Sequence, residues 1–401
     1  MIKHNWKVAL DGKYLPNNEI FNIVLHNRGV KDKDSFLFPD QSYIYPTNAF
    51  KNIEDASSLF IDGIRNNKRF LIYADVDVDG CTSAAIIYHY LLAHNIIPKT
   101  YINQGKEHGV SSDFDLNVLN DVDILIIVDS LNTYAEEYLR LLEKGVQIIV
   151  LDHHIPSKEV LNIQDKIHLI SSANDYPNPN LSGSGVSWKF VSHIDTLLGV
   201  TYAESLLDLA ATGLIADASD MSATSMENRA ICHLGFDYVT NPALIEILGK
   251  TTMVSSDIGY SIAPLVNAAN RMNDNSTALR LFLSSDTNEI RSIVKKLTED
   301  KEAQKAKVEK LLPQIEEQAS TQHGKCLYFF VQDCENLTGL IATKITSLYQ
   351  KPVIVIGSST DAIYGGSMRA RGVDNFSAIV NASSMAKCLG HENSAGIVIQ
   401  K

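Results

Sequence analysis

The feature that most constrains this chain is an apolar run, Phe70–Ala74, that leads into three aspartates at alternate positions, Asp75, Asp77 and Asp79, before Gly80. A β-strand has a period of two, so it would place these carboxylates on one side as the chain leaves the sheet. Carboxylates this close repel one another, which raises their pKa values unless a cation lies among them. The pattern therefore predicts one or more hard divalent metal ions with oxygen ligands.

Two other interpretations of this stretch stay open at this point. Asp-x-Asp-x-Asp-Gly also begins an EF-hand calcium loop, which follows a helix and has a bidentate Glu at its twelfth position. Counted from Asp75, the twelfth position is Ile86, and the preceding residues resemble a strand. The other interpretation is a solvated acidic turn that binds no ion.

The same pattern of an apolar strand followed by acidic or imidazole side chains occurs twice more. Residues 122–128 precede Asp129, and residues 146–151 precede Asp152, His153 and His154. Helix-like segments separate the strands, which indicates parallel pairing, and the carboxyl edge of such a sheet is where ligands bind. A helix of small apolar residues that follows Asp208 ends in a further acid, Asp217.

Composition sets wider limits. The 401 residues are enough for two domains, and 45% hydrophobic with 20% charged residues is typical of a globular protein. No apolar run has the length of a membrane span and the N-terminus lacks a signal-peptide pattern, so we expect a cytoplasmic protein without a membrane partner. The five cysteines lack CxxC spacing, which disfavours a disulfide framework or a zinc ribbon. A net charge of −12 argues against a wide nucleic-acid footprint, although a narrow channel can be locally basic.

Taken in order, these motifs resemble the four motifs of the DHH phosphoesterase superfamily, and within it the RecJ single-strand-specific exonucleases. Further stretches carry the resemblance, which extends from about Phe70 to Lys401: residues 181–190, residues 264–272, Gly366–Arg369 and Gly390–Gly396. The chain departs from the family pattern at Ser130 and Leu131, where Asn-Gly is usual, and at Asn270, where Gly is usual. None of these departures removes a metal ligand.

The resemblance implies an α/β fold: a doubly wound, mainly parallel sheet domain joined by a long helix to a smaller α/β domain. We expect the catalytic domain at residues 1–284, with an N-terminal leader at 1–66. The linker helix is expected at 285–319, and the DHH-associated, substrate-binding domain at 320–401.

The resemblance also assigns roles to individual residues. Two divalent ions are expected, Mn(II) by preference and Mg(II) as the alternative, because imidazole mixed with carboxylate suits Mn(II). The implied metal ligands are Asp75, Asp77, Asp79, Asp129, His153 and Asp217. Asp129 would bridge the ions, His154 would contact the phosphate or leaving group, and Asp152 would orient a histidine. The implied phosphate-binding residues are Asn267, Arg271, Ser367, Arg369 and His391.

The implied activity is hydrolysis of single-stranded DNA from the 5' end to mononucleotides, with replication or repair proteins as partners. The sequence ends at Lys401, so we expect no OB-fold of the kind many bacterial RecJ proteins use to grip single strands. One alternative is therefore a phosphodiesterase for short oligonucleotides or cyclic dinucleotides. Another is a non-catalytic binding module of a replication or repair complex.

Overall fold

The computed structural model describes residues 17–103, 109–359 and 362–400. The chain divides into two compact units. The first comprises residues up to 270 together with 274–294, and the second comprises 271–273 together with 295–401. Residues 1–16 of the predicted leader lie outside the described part of the chain.

The first unit alternates helices and strands. Its elements are α1 (Asn17–Asn27), α2 (Lys33–Leu37), α3 (Ile53–Arg65), β1 (Phe70–Ala74), α4 (Val78–Ala93), β2 (Lys99–Ile102), β3 (Ile124–Val128), α5 (Ala135–Leu142), β4 (Gln147–Asp152), α6 (Lys158–Leu161), β5 (Leu169–Ser171), α7 (Gly183–Leu198), α8 (Leu207–Ala216), α9 (Met226–Asp237), α10 (Pro242–Leu248), α11 (Ser255–Asp257), α12 (Ala263–Arg271) and α13 (Asn275–Leu283). Short 3-10 segments lie at Gln41–Tyr43, Thr47–Ala49, Leu116–Asp121 and Tyr202–Leu206, and a π-helical turn lies at Ile258–Ile262.

The strands of the first unit form a parallel sheet in the order β2-β1-β3-β4-β5. The strand order reverses between β1 and β3, and open sheets bind ligands at the carboxyl ends of strands at such a switch point. The predicted parallel strands β1, β3 and β4 are confirmed. The edge strands β2 and β5 carry no comparable apolar run and were not predicted.

Both faces of this sheet are covered, which confirms the doubly wound prediction. Leu71 and Tyr73 of β1 pack with Leu141 of α5 in one apolar cluster. On the opposite face, Phe70 contacts Phe60 of α3, and α4 and α7 pack against the sheet. Complete burial of β1, β3 and most of β4 accounts for their continuous apolar sequences.

The prediction that strand alternation aligns Asp75, Asp77 and Asp79 is wrong. Strand β1 ends at Ala74, Asp77 is the N-cap of α4, and Asp79 lies in the first turn of that helix. Asp77 caps the helix by accepting a hydrogen bond from the Gly80 N–H at 3.0 Å. The carboxylates are therefore arranged by a strand, a loop and a helix start rather than by one extended segment. The strand before the loop also excludes the EF-hand.

The predicted long helix is confirmed as α14, Thr287–Ser320, which spans 34 residues with Pro313 in its interior. Its first turns belong to the first unit, and the helix belongs to the second unit from Lys295 onward.

The second unit is a smaller α/β domain. After α14 it contains β6 (Leu327–Phe330), a 3-10 turn (Glu335–Leu337), α15 (Thr338–Tyr349), β7 (Val353–Ser359), β8 (Ile363–Arg369), α16 (Phe376–Asn381), β9 (Ala386–His391) and β10 (Ser394–Gln400). The strand order is β6-β7-β8-β10-β9, with β6 and β7 parallel and the remaining pairs antiparallel. Helices α14 and α15 share an apolar cluster with β6 and β7. No helix in the described ranges is long and apolar enough to cross a membrane.

Candidate active site

The predicted ligands of the first unit meet at the carboxyl edge of its sheet. Asp75 follows β1, Asp129 follows β3, and His153 follows β4. Asp79 reaches this edge from the first turn of α4, and Asp217 is the C-cap residue of α8. The β1/β3 switch point therefore collects side chains that are 142 positions apart in sequence (217 − 75).

Three groups of these side chains each bring ligand atoms within 4.8 Å of one another. The groups are Asp75 with Asp77 and Asp129, then Asp79 with His153 and Asp217, and finally Asp129 with His153 and His154. Asp129 and His153 each belong to two groups, so the groups form one continuous cluster. The six predicted metal ligands all lie in this cluster, together with His154.

His153 lies between two carboxylates. Its Nε2 is 3.2 Å from Asp129 Oδ1 and its Nδ1 is 4.0 Å from Asp217 Oδ2. An imidazole in this position can bind a metal ion through one nitrogen while the other faces a carboxylate that fixes the ring.

Asp129 has the most constrained environment of the cluster. Only 2% of the residue is exposed, and its backbone is in the left-handed region with φ 49°. Its N–H donates a hydrogen bond to the Leu151 carbonyl at 3.0 Å. Among the described residues, none donates a hydrogen bond of good geometry to its buried Oδ1. A strained backbone together with a buried acceptor that lacks a donor is typical of a functional site.

Burial and mutual repulsion raise the pKa values of three carboxylates of the cluster. Burial and the charges of Asp79 and Asp77 raise the pKa of Asp129 well above its usual range. Burial and the neighbouring Asp75 raise the pKa of Asp77 to about 7. Burial and Asp79 likewise raise the pKa of Asp217. Divalent cations would remove this repulsion, so the donor set fits metal ions.

Asp79 is held by the N-terminus of another helix. It accepts hydrogen bonds from the Gly183 N–H at 2.6 Å and the Ser184 N–H at 3.1 Å, both in the first turn of α7. The positive end of the helix dipole stabilises a carboxylate in this position. A Cβ atom on Gly183 would lie 2.6 Å from Asp129 Cβ, and one on Gly213 would lie 2.2 Å from Asp79 Oδ1. These two positions need glycine because the ligands pack directly against the helix backbones.

Asp152 lies behind the histidine pair. It is fully buried, and its Oδ1 accepts hydrogen bonds from the His153 N–H at 2.7 Å and the His154 N–H at 2.8 Å. The same oxygen is 2.8 Å from His154 Nδ1. Burial lowers the pKa of His154, but the hydrogen bond to Asp152 and its charge outweigh burial and raise that pKa to about 9. Asp152 therefore fixes the orientation of the His154 ring and favours its cationic form.

The loop between Asp75 and Asp77 is anchored from α12. Asn270 Nδ2 donates a hydrogen bond to the Val76 carbonyl at 2.8 Å. The Asn270 Oδ1 atom is buried and accepts no hydrogen bond within the described part of the chain. The residue that departs from the usual glycine thus contacts the backbone between two ligands.

The second unit holds three of the predicted phosphate-binding residues near one another. Ser367 and Arg369 lie on β8, and the Ser367 hydroxyl is 2.9 Å from the Thr338 hydroxyl at the start of α15. A Cβ atom on Gly339 would lie 3.1 Å from Arg369 Nη2. Burial lowers the pKa of Arg369, and burial with the charge of Arg369 lowers that of Arg271. Arg369 lies beside the N-terminus of α15 and interacts electrostatically with Arg271, an arrangement that favours an anion such as phosphate.

The remaining two predicted residues are less informative. Asn267 lies on α12 in the first unit and is half-buried. His391 is the last residue of β9, so it closes a strand rather than lying in the expected turn, and its side chain is outside the described part of the structure.

Several contributors to these sites received no role from the sequence. They are the backbone of Gly183 and Ser184, the hydroxyl of Thr338, and the amide of Asn270. Ser182 is an N-cap whose side chain accepts from the Gly185 N–H, so Ser-Gly-Ser-Gly marks an open helix N-terminus before the fold is known. Asn270 has no such signal, because its contact is with a residue 194 positions away.

Comparisons with known proteins identify relatives of this chain. A family model described as the DHH family, N-terminal domain, matches residues 69–214. The SPbeta prophage-derived single-strand DNA-specific exonuclease YorK of Bacillus subtilis is 30% identical over 421 residues, which cover 94% of this chain and 71% of that protein. The single-stranded-DNA-specific exonuclease RecJ of the same organism is 27% identical over 398 residues, which cover 94% of this chain and 50% of that protein.

Solved structures show the same fold. The crystal structure of RecJ from Thermus thermophilus in complex with Mn²⁺ matches with a TM-score of 0.77 at 24% identity, covering 94% of this chain and 55% of that one. The complex of that RecJ with Mg²⁺ matches with a TM-score of 0.69 at 23% identity, and the match covers 94% of this chain and 53% of that one. The chain thus spans about half the length of these two RecJ proteins. With these similarities and its cluster of aspartates and histidines, the chain belongs to the DHH family, among the RecJ-like single-strand-specific exonucleases.

Proposed function

We propose that this chain hydrolyses the phosphodiester bonds of single-stranded DNA from the 5' end, releasing mononucleotides, with two divalent metal ions. The observation that carries the proposal is the continuous cluster at the β1/β3 switch point, in which Asp129 and His153 are each shared by two ligand groups. A shared carboxylate is what a pair of ions a few ångströms apart requires.

The ligand groups suggest how the ions divide the site. Asp75 and Asp77 would hold one ion, Asp79, His153 and Asp217 would hold the other, and Asp129 would be shared between them. Mn(II) is our first choice because imidazole and carboxylate are mixed, with Mg(II) as the alternative. When bound, such ions supply an activated nucleophile and neutralise the charge that develops on the phosphoryl oxygens.

The chain's own side chains orient the substrate. Asp152 holds the His154 ring through Nδ1, and a cationic imidazole at this edge can donate a hydrogen bond to a phosphate oxygen or to the leaving group. In the second unit, Arg271, Ser367 and Arg369 bind a terminal phosphate. We also assign phosphate-binding roles to Asn267, in the first unit, and to His391, in the second. Burial of the two guanidinium groups strengthens this grip because little water competes with the anion.

Substrate length is the finer part of the proposal. We favour long single strands, and the net charge of −12 makes short oligonucleotides or cyclic dinucleotides the alternative. A cytoplasmic location and partners from replication or repair follow from the same resemblance and are part of the proposal.

The test compares hydrolysis of four substrates in Mn(II): 5'-labelled single-stranded DNA, the matching duplex, an oligonucleotide of a few bases and a cyclic dinucleotide. Asp129→Ala should lose about 10³-fold in turnover, because several kcal/mol of transition-state stabilisation depend on the metal site. The matched control is Asp123→Ala, which removes an acid near the start of β3 and should leave turnover unchanged.

Each outcome decides a different part of the proposal. Label released first as a mononucleotide from single strands supports the 5' polarity. Turnover confined to the short substrates would refute the long-strand assignment, and absence of metal-dependent turnover on all four would refute the activity.

A further inference from the structure

A cavity of about 630 Å³ lies beside the metal cluster, between the segments that follow β3 and β4. One wall is Leu131, Asn132 and Thr133, and the other is the segment from His153 to Ser157. Because His153 and His154 line the cavity and also belong to the ligand groups, a molecule held there directly adjoins the metal site. The volume is within the range of about 300–1,000 Å³ that small-molecule sites occupy.

Much of the cavity lining is aliphatic. Among the residues that the structure describes, no lysine or arginine lines this cavity. Leu131, Ile155 and Pro156 instead offer aliphatic carbon, and Ile155 is 87% exposed. An isoleucine this exposed beside a catalytic cluster gains from being covered by an apolar or planar group.

Hydrogen bonds of Asn132 tie the first wall to neighbouring segments. Asn132 Oδ1 accepts a hydrogen bond from the Val110 N–H at 3.0 Å, and its Nδ2 donates to the Val110 carbonyl at 2.9 Å. The Asn132 N–H donates to the Tyr138 hydroxyl at 3.0 Å. On the opposite wall Asp152 fixes the His154 ring, whose side chain is 44% exposed. A preformed cavity loses less entropy on binding than a flexible one.

Along a nucleic acid, the groups that adjoin a phosphate are the uncharged sugar and base. A base stacks on a flat imidazole and on aliphatic carbon, while the hydroxyls of Thr133 and Ser157 can hydrogen-bond to a sugar or a base edge. We propose that this cavity is a nucleoside subsite, which holds the sugar and base of a nucleotide adjoining the scissile phosphate. The inference rests on the proposed phosphodiesterase activity and names the part of the substrate that the metal cluster does not hold.

The test uses Ile155→Ala with Ile97→Ala as its matched control. Ile97 is 80% exposed in the same unit, but it precedes β2 at the opposite, amino edge of the sheet. Oligonucleotides carry one abasic residue at the first, second or third position from the 5' end. Hydrolysis gives KM and kcat, and fluorescence anisotropy in chelator gives binding without chemistry.

We expect Ile155→Ala to raise KM and the dissociation constant about tenfold on the intact strand, with little change in kcat. One abasic position should weaken wild-type binding by a similar factor, and on that strand Ile155→Ala should have no further effect. Ile97→Ala should match the wild type throughout. Equal effects of Ile155→Ala on intact and abasic strands, or none, would overturn the subsite.

Failure of the proposed function is distinguishable from failure of the subsite. If the wild type distinguishes intact from abasic strands in the binding assay but cleaves neither, the subsite stands and the activity is refuted. If it cleaves both with the same KM and binds both equally, the activity stands and the subsite is refuted.

Discussion

The two ends of strand β3 place an aspartate in opposite electrostatic environments. Asp123, just before the strand, accepts hydrogen bonds from Arg69 Nη2 at 2.9 Å and Nε at 3.1 Å, and the side-chain hydrogen bond from Arg69 lowers its pKa to about 2. Asp129, just after the strand, is buried among other acids, and its pKa is raised well above the usual range. Five apolar residues, Ile124–Val128, separate the two environments.

The difference shows how this fold divides stability from function. At the amino end the chain supplies its own cation, because Arg69 forms a partly exposed ion pair with Asp123. At the carboxyl end, the ion-pair neighbours of Asp129 and Asp217 within the described ranges are His153 and His154. The carboxyl end is therefore electrostatically incomplete without a cation from solution, and the contrast between the two ends can be tested by experiment.

The largest effect should come from removing the shared ligand. Free Mn(II) at one hundred times its dissociation constant should stabilise the wild type by about 2.7 kcal/mol for each bound ion, and Asp129→Asn should abolish that gain. Without metal, Asp129→Asn should unfold at a higher temperature than the wild type, because a repelled buried carboxylate has been removed. Calorimetry with Mn(II) and with chelator measures both. Equal Mn(II) stabilisation in wild type and variant would contradict the shared-ligand role.

The pH dependence of the metal-free protein should follow from the raised pKa values. The pKa of Asp77 is raised from 3.8 to about 7, so the folded protein holds this proton more tightly than the unfolded chain. The resulting contribution to stability is complete below pH 3.8 and is lost as pH rises through about 7. The pKa of His154 is raised from 6.5 to about 9, so this residue also lowers the stability as pH rises, over a higher pH range. The melting temperature in chelator should therefore fall by several degrees from about pH 5 to about pH 8.

The control for this pH effect is Asp77→Asn, which should reduce the fall in melting temperature between pH 5 and 7. A melting temperature that rises over this range would show that repulsion among these carboxylates does not destabilise the metal-free protein. Saturating Mn(II) should weaken the dependence, because bound cations favour the ionised carboxylates.

A smaller effect is expected at Asn270. Asn270→Ala frees the Val76 carbonyl between two ligands while keeping a good helix-forming residue in α12. We expect Mn(II) affinity to drop about tenfold, at the low end for residues that position metal ligands. Titration calorimetry of Mn(II) measures this. Asn178→Ala is the control, because Asn178 bonds Glu227 and Asn228 and should lower stability without changing Mn(II) affinity.

The smallest effect should appear at the amino end. Arg69→Ala breaks an ion pair whose arginine side chain is 54% exposed, so we expect a loss of about 0–1 kcal/mol that shrinks in high salt. Mn(II) affinity should not change. Chemical denaturation measures the free energy of unfolding. If Arg69→Ala lowered it by several kcal/mol at any salt concentration, the two ends of β3 would not differ in the way described.

The sequence by itself determined the parallel strands and the chemistry at their ends. Residues 124–128 and 147–152 form strands because continuous apolar runs bounded by turns suit a sheet buried on both faces. Asp129, Asp152, His153 and His154 were identifiable as site residues because the carboxyl ends of parallel strands meet at one edge of the sheet. The long helix α14 was expected from the family resemblance.

Only the tertiary structure decided how those side chains meet. The order β2-β1-β3, which creates the switch point, depends on crossover connections that no local pattern encodes. Asp79 enters the cluster from a helix start, not from an extended strand, and the first turn of α7 stabilises it through two N–H groups more than 100 positions away. Hydrogen bonds and Coulomb interactions depend on distance in space, so the sequence named the ligands but only the folded chain determined their partners and their pKa values.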